Sequence, residues 1–139
     1  MNNQTLAVSG SEIELRRLRD LFAGTSWAIE TVNTLGAAKE WLTRNPTPVV
    51  LCETLLPDGD WKAVFRAAAA LPDPPSLVVM SRQADNRLWL EVLNHGGCDV
   101  LALPTQRTDL FQVLGSAWRS WKARCRHSEN LALQNLALQ

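Results

Sequence analysis

Four short apolar runs, LAV at 6–8, VVLC at 49–52, SLVVM at 76–80 and DVLAL at 99–103, are continuous in this chain, not alternating with polar residues. Strands buried on both faces of a parallel sheet read this way. A fifth run, WAIETV at 27–32, alternates more and suits a sheet edge. The segments between them carry a helical period: Leu15, Leu18 and Phe22; Ala38, Trp41 and Leu42; Trp61, Val64, Phe65 and Ala68; Trp89, Val92 and Leu93. Gly24, Asn45-Pro46, Pro72 to Pro75 and Gly96-Gly97 supply the stops. A fifth helix is expected from about Thr108, as N-cap, through Leu110, Leu114, Trp118 and Trp121. The pattern is βα repeated five times. It predicts a doubly wound α/β fold of three layers around a five-stranded parallel sheet.

Such folds gather their functional groups beyond the carboxyl ends of the strands. That edge is expected to bring together Ser9 and Gly10, Glu53, Ser81 and Arg82, and Leu103-Pro104. A chain of 139 residues has the size of one domain with one core. Fourteen basic and fourteen acidic residues cancel, so net charge draws the chain to neither nucleic acid nor anionic lipid, and protein partners are expected. Cys52, Cys98 and Cys125 show no metal-ligand spacing; two are read as buried strand residues and one as a helix residue, in a reducing compartment. No apolar run reaches the ~18 residues of a membrane span and no leader pattern opens the chain, so a cytoplasmic location is expected.

The order of residues along that edge resembles the receiver domains of bacterial response regulators, over about residues 4–125. The apolar run VVLC is followed by an acid, Glu53, three residues and Pro57; a hydroxyl residue, Ser81, closes the fourth strand; and GGCDVLALP, from Gly96 to Pro104, resembles the family's G-A-x-D-Y-L-x-K-P segment. Intervals of 28 residues from Glu53 to Ser81 and 22 from Ser81 to Leu103 match the family's spacing. The resemblance implies a flavodoxin-like receiver fold and a place in two-component (phosphorelay) signalling, with a sensor kinase, output domain or effector as partner. Residues 126–139 would then be a C-terminal helical extension or linker.

The departures fall on the chemistry. Glu53 stands where the family has its phosphoaccepting aspartate, and Ser9 and Gly10 replace the acid pair that holds Mg²⁺. Since Mg²⁺ requires hard oxygen ligands, its binding is expected to be weak or absent. Leu103 stands at the family's phosphate-pairing lysine and Val100 at its switch aromatic. Phosphoryl transfer depends on electrostatic stabilisation that this set no longer supplies. Three roles are open for Glu53: a fixed mimic of a phosphorylated aspartate directed at Ser81, a solvated acid, or a phosphate acceptor in its own right. Arg82 is a candidate partner for Glu53. The expected function is therefore that of an atypical, non-enzymatic receiver, a phosphorylation-independent protein-interaction module. The alternatives are a phosphoacceptor using a non-standard residue and a small-ligand site in the vacated acidic pocket.

Of six tryptophans, Trp27, Trp41 and Trp61 are assigned to packing. Trp89, Trp118 and Trp121, on helices four and five, are candidates for an interface, including a homodimer. The repeat in HSENLALQNLALQ, from His127, suggests an amphipathic continuation of helix five. His95 and His127 have no catalytic or metal-ligating companions and are read as surface or capping residues.

Overall fold

The structure, a computed structural model, describes residues 2–137. Its elements run β1 (Gln4–Val8), α1 (Glu12–Phe22), β2 (Ala28–Val32), α2 (Leu35–Arg44), β3 (Val49–Glu53), β4 (Leu55–Leu56), β5 (Gly59–Asp60), α3 (Trp61–Ala69), β6 (Ser76–Ser81), α4 (Asn86–His95), β7 (Asp99–Ala102) and α5 (Arg107–Ala137). Five parallel strands form one sheet in the order β2-β1-β3-β6-β7. The alternating run at 27–32 does become an edge strand. The fold is a flavodoxin-like α/β fold, as the sequence pattern requires.

The central strands are continuous in hydrophobicity because they serve two cores by turns. In β3, Val50 and Cys52 pack with Leu42 of α2, Val64 of α3 and Val92 of α4. Val49 and Leu51 point the other way, with Leu15 and Leu18 of α1 and Leu110 and Leu114 of α5. β6 repeats the pattern, Leu77 and Val79 joining the first core and Val78 and Met80 the second. Successive side chains of a strand face opposite sides, so neither face can be polar.

Four helices start on side-chain caps. Ser11, Thr34, Asp60 and Asp85 accept from the backbone N–H of Glu14, Ala37, Ala63 and Leu88. Gly96 ends α4 at a φ of 110°, a conformation that favours glycine. Thr108 is not the cap of α5: the helix begins at Arg107, and the N–H of Leu110 already bonds the Gln106 carbonyl at 3.0 Å. Cys52 is buried in β3 as expected, but Cys98 is half-buried just ahead of β7, outside the strand, and Cys125 lies on α5. α5 runs unbroken past residue 125. Its distal part is not amphipathic: Leu131, Leu133 and Leu136 are all exposed, and a turn of about 100° per residue sets Leu131 and Leu133 on nearly opposite sides.

The hairpin β4-β5 was not expected. Pro57 and Asp58 form its two-residue loop, and Asp58 leaves the hairpin to cap a different helix. Its carboxylate oxygens accept from the N–H groups of Leu35 at 2.7 Å and Gly36 at 3.0 Å, at the start of α2. These two bonds, and then the cation of Lys39, hold its carboxyl below the usual aspartate range. A depressed folded pKa contributes stability above the unfolded value, and that stability is lost as pH falls through the folded one. Asp58→Ala is therefore expected to melt at a lower temperature than the parent near neutral pH. The gap should close as the pH is taken below about 4; a gap of constant size across that range would show that the charge is not what stabilises.

Candidate functional site

The carboxyl ends of β1, β3, β6 and β7 meet along one edge. Ser9 follows β1 and is fully buried. Its hydroxyl donates to Glu53 Oε1 at 2.7 Å and accepts the N–H of Ser11 at 3.0 Å. Glu53 closes β3 beside Met80. Ser81 closes β6, and the N–H of Leu103 donates to its carbonyl at 2.9 Å. A Cβ on Gly10 would lie 3.2 Å from Pro57 Cδ, so the proline ring rests against the glycine. The space that two small residues open is thus filled by Pro57 and the Ser9-Glu53 bond. Leu103 does not face this space openly; it is buried in the core under α1 and α5.

The expected meeting of Glu53 with Ser81 does not occur. The pleat gives the reason: Ser81 continues the Leu77-Val79 side of β6, whereas Glu53 continues the Val49-Leu51 side of β3, toward α1. The Ser81 hydroxyl instead accepts the N–H of Gln83 at 3.0 Å. Nor does Arg82 pair with Glu53. Its guanidinium bonds Glu14 on the first turn of α1, and Arg17 approaches the same carboxylate at 3.6 Å. Glu14 is only 2% exposed and was missed in the sequence. Its position four residues before Leu18 places it on the buried stripe of α1, a signal that the apolar periodicity alone passes over.

Mg²⁺ does not fit this donor set. It needs one or two free carboxylates in near-octahedral array. Glu53 has one oxygen committed to Ser9, Asp58 is turned to α2, Asp60 caps α3, and Glu14 is bonded to Arg82. Cys52 adds no nucleophile: burial, then the charges of Glu53 and Asp60, push its thiol far above the usual range, and its Sγ donates to the Glu53 carbonyl at 3.2 Å.

The three candidate interface tryptophans have different surroundings. Trp89 on α4 is 45% exposed, beside the exposed Leu90 and Leu93. A groove of about 400 Å³ next to it is lined by Ala84, Asp85, Asn86, Val100 and Ala102. Trp118 is partly buried against the second core, its Nε1 donating to the Asn2 carbonyl at 2.8 Å and Lys122 lying 4.8 Å from its ring. Trp121 is half-buried in a groove with Leu42, Pro46 and Pro72. Trp118 thus has a structural duty on α5. Trp61 is buried, and Trp27 and Trp41 pack partly buried against the cores. His95 is not a simple surface residue, since its ring stands edge-on to Trp61 at 5.1 Å and Phe65 at 5.0 Å.

Ser9→Ala removes a donor to Glu53 and the acceptor of the partly buried Ser11 N–H. A loss of about 1–3 kcal/mol is expected, read as a lower urea midpoint with an unchanged slope. A midpoint equal to the parent's would mean that the bond holds nothing in place.

Neither a protein-family model nor a curated protein matches the chain. Solved structures do. The signal receiver domain of an HD domain-containing protein from Pseudomonas fluorescens superposes with a TM-score of 0.80 at 18% identity, over 91% of this chain and 95% of that one. A two-component response regulator from Clostridium difficile gives 0.75 at 19%, over 85% and 97%. An adenylate cyclase structure from Rhodopirellula baltica gives 0.84 at 17%, over 95% and 98%. No helix among the described residues is long and apolar enough to cross a membrane. The chain has the fold of response-regulator receiver domains.

Proposed function

We propose that this chain is an atypical receiver of two-component signalling that works as a phosphorylation-independent protein-interaction module. The observation that carries the reading is the state of Glu53. Its carboxylate stands where a receiver's phosphoacceptor stands, and it is held by the Ser9 hydroxyl at 2.7 Å. The neighbouring acid pair is replaced by Ser9 and Gly10, and Leu103, at the lysine position, is buried in the core. A phosphoryl group transferred here would meet neither a cation nor a lysine to stabilise its charge. Glu53 and Ser9 act as a structural pair at the edge of the sheet. Val100, at the switch-aromatic position, has no aromatic ring to move between states.

What such a scaffold offers a partner is its surface. Trp89, Leu90 and Leu93 leave an apolar patch on α4, with the small Val100 and Ala102 opening a groove beside the indole. Half-exposed tryptophans beside a concavity are suited to anchor a protein interface. The partner is a kinase, an output domain, an effector or a second copy of the chain, and docking centres on α4.

Incubation with Mg²⁺ and acetyl phosphate is expected to leave the intact mass unchanged, and Mg²⁺ titration to leave tryptophan fluorescence unchanged. A stoichiometric gain of one phosphoryl group would instead establish an acceptor. If the α4 patch joins two copies, light scattering at micromolar concentration gives a dimer. Trp89→Ala should then weaken it by about tenfold or more; a dimer indifferent to that change would place the contact elsewhere.

A further inference from the structure

Glu14 is the one charged residue among those found buried in the described chain. Its carboxylate is held by a cation 68 residues further along the chain: Arg82, the first residue after β6, whose side chain is 59% exposed. The contact ties the start of the β6-α4 loop to the first turn of α1. From Arg82 the chain is fixed step by step into α4. Gln83 N–H bonds the Ser81 hydroxyl at 3.0 Å, Asp85 N–H bonds the Gln83 carbonyl at 3.0 Å, and the Asp85 carboxylate caps the helix on Leu88 N–H at 2.9 Å. Trp89 is the next residue along, its N–H bonded to the Asp85 carbonyl at 3.1 Å. Three residues, Gln83 to Asp85, separate Arg82 from the first turn of the helix that carries the exposed indole.

We infer that the Glu14-Arg82 ion pair is a lock that holds the β6-α4 loop and the first turn of α4 in a single conformation. A carboxylate taken out of water strongly favours keeping its cation, whereas the arginine is solvated on its outer side and retains a path to release. Arg17, at 3.6 Å and on the same helix as Glu14, can soften the loss of Arg82 but cannot hold the loop. The lock requires no phosphate. Its consequence for docking rests on the reading of α4 as the partner surface; its consequence for the loop does not.

The test is amide hydrogen exchange on the full chain, comparing the parent with Arg82→Ala, the double variant Glu14→Met/Arg82→Ala, and Glu40→Gln. The last breaks only the exposed Arg44-Glu40 pair on α2. In Arg82→Ala, exchange of residues 82–89 is expected to rise about tenfold or more beyond any change in the core strands. The double variant leaves no unpaired buried charge, so its melting temperature should return toward the parent's while residues 82–89 stay fast. Unchanged exchange in both Arg82 variants would overturn the lock. So would a double variant that restores stability and slow exchange together, since the pair would then act through global stability alone. If exchange rises as expected but partner or self-association is unaffected, the lock stands and the assignment of α4 as docking surface fails.

Discussion

The pleat of β3 and β6 is the constraint on which the arrangement of this molecule depends. Each central strand must satisfy a core on either side, so its apolar residues alternate between α2, α3 and α4 on one face and α1 and α5 on the other. The polar residues at the strand ends inherit the same alternation. Glu53 is carried toward α1 and meets Ser9; Ser81 is carried to the other face and spends its hydroxyl on its own loop. Arg82, one residue on, returns to the α1 side and finds Glu14. Parity decides these pairings before electrostatics has any choice.

Electrostatics then settles what each acid at this edge can do. Glu53 is committed to a hydroxyl, Asp58 and Asp60 to helix N-termini, and Glu14 to a guanidinium. A carboxylate against helix N–H groups gains from both the hydrogen bonds and the local dipole. A buried carboxylate without a cation would be costly, by several kcal/mol. The edge is therefore rich in acids and poor in available ones. Its negative charges serve to hold α2 to the β4-β5 hairpin, α3 to its own N-cap and α1 to the start of the β6-α4 loop.

How much of this could be read in the sequence follows the same division. The five strands and five helices were legible because burial on two faces writes continuous apolar runs, and amphipathic helices write a period of 3.6. The edge itself was legible too: Ser9, Glu53, Ser81 and Leu103 do lie along it. Partner choice was not. Pairing Glu53 with Ser81 or Arg82 rested on their nearness in the chain pattern, and parity cannot be applied until the strand register is known. Glu14 was hidden because an acid inside a helical stripe looks like a solvated residue. The hairpin was hidden because Leu-Leu-Pro-Asp-Gly-Asp contains too few strand residues to register as two strands; yet Pro-Asp-Gly is a strong turn signal, and its aspartate is the one that reaches α2.

The distribution of tryptophans completes the reasoning about surfaces. An indole both half-buried and hydrogen-bonded is already committed, as Trp118 is to the Asn2 carbonyl, where it fastens the N-terminal segment to α5. At the far end of that region, Arg124 bonds the Pro74 carbonyl and the Ser76 hydroxyl, and Ser76 in turn bonds the Ala117 carbonyl. α5 is thereby pinned to the sheet on both sides of Trp121. Trp89 has no such bond in its favour, and its neighbours Val100 and Ala102 are too small to cover it. On the proposed reading of α4 as docking surface, a large apolar side chain left half in water on a helix whose N-terminus is capped by Asp85 needs little rearrangement to dock, and the saving is in ordering entropy.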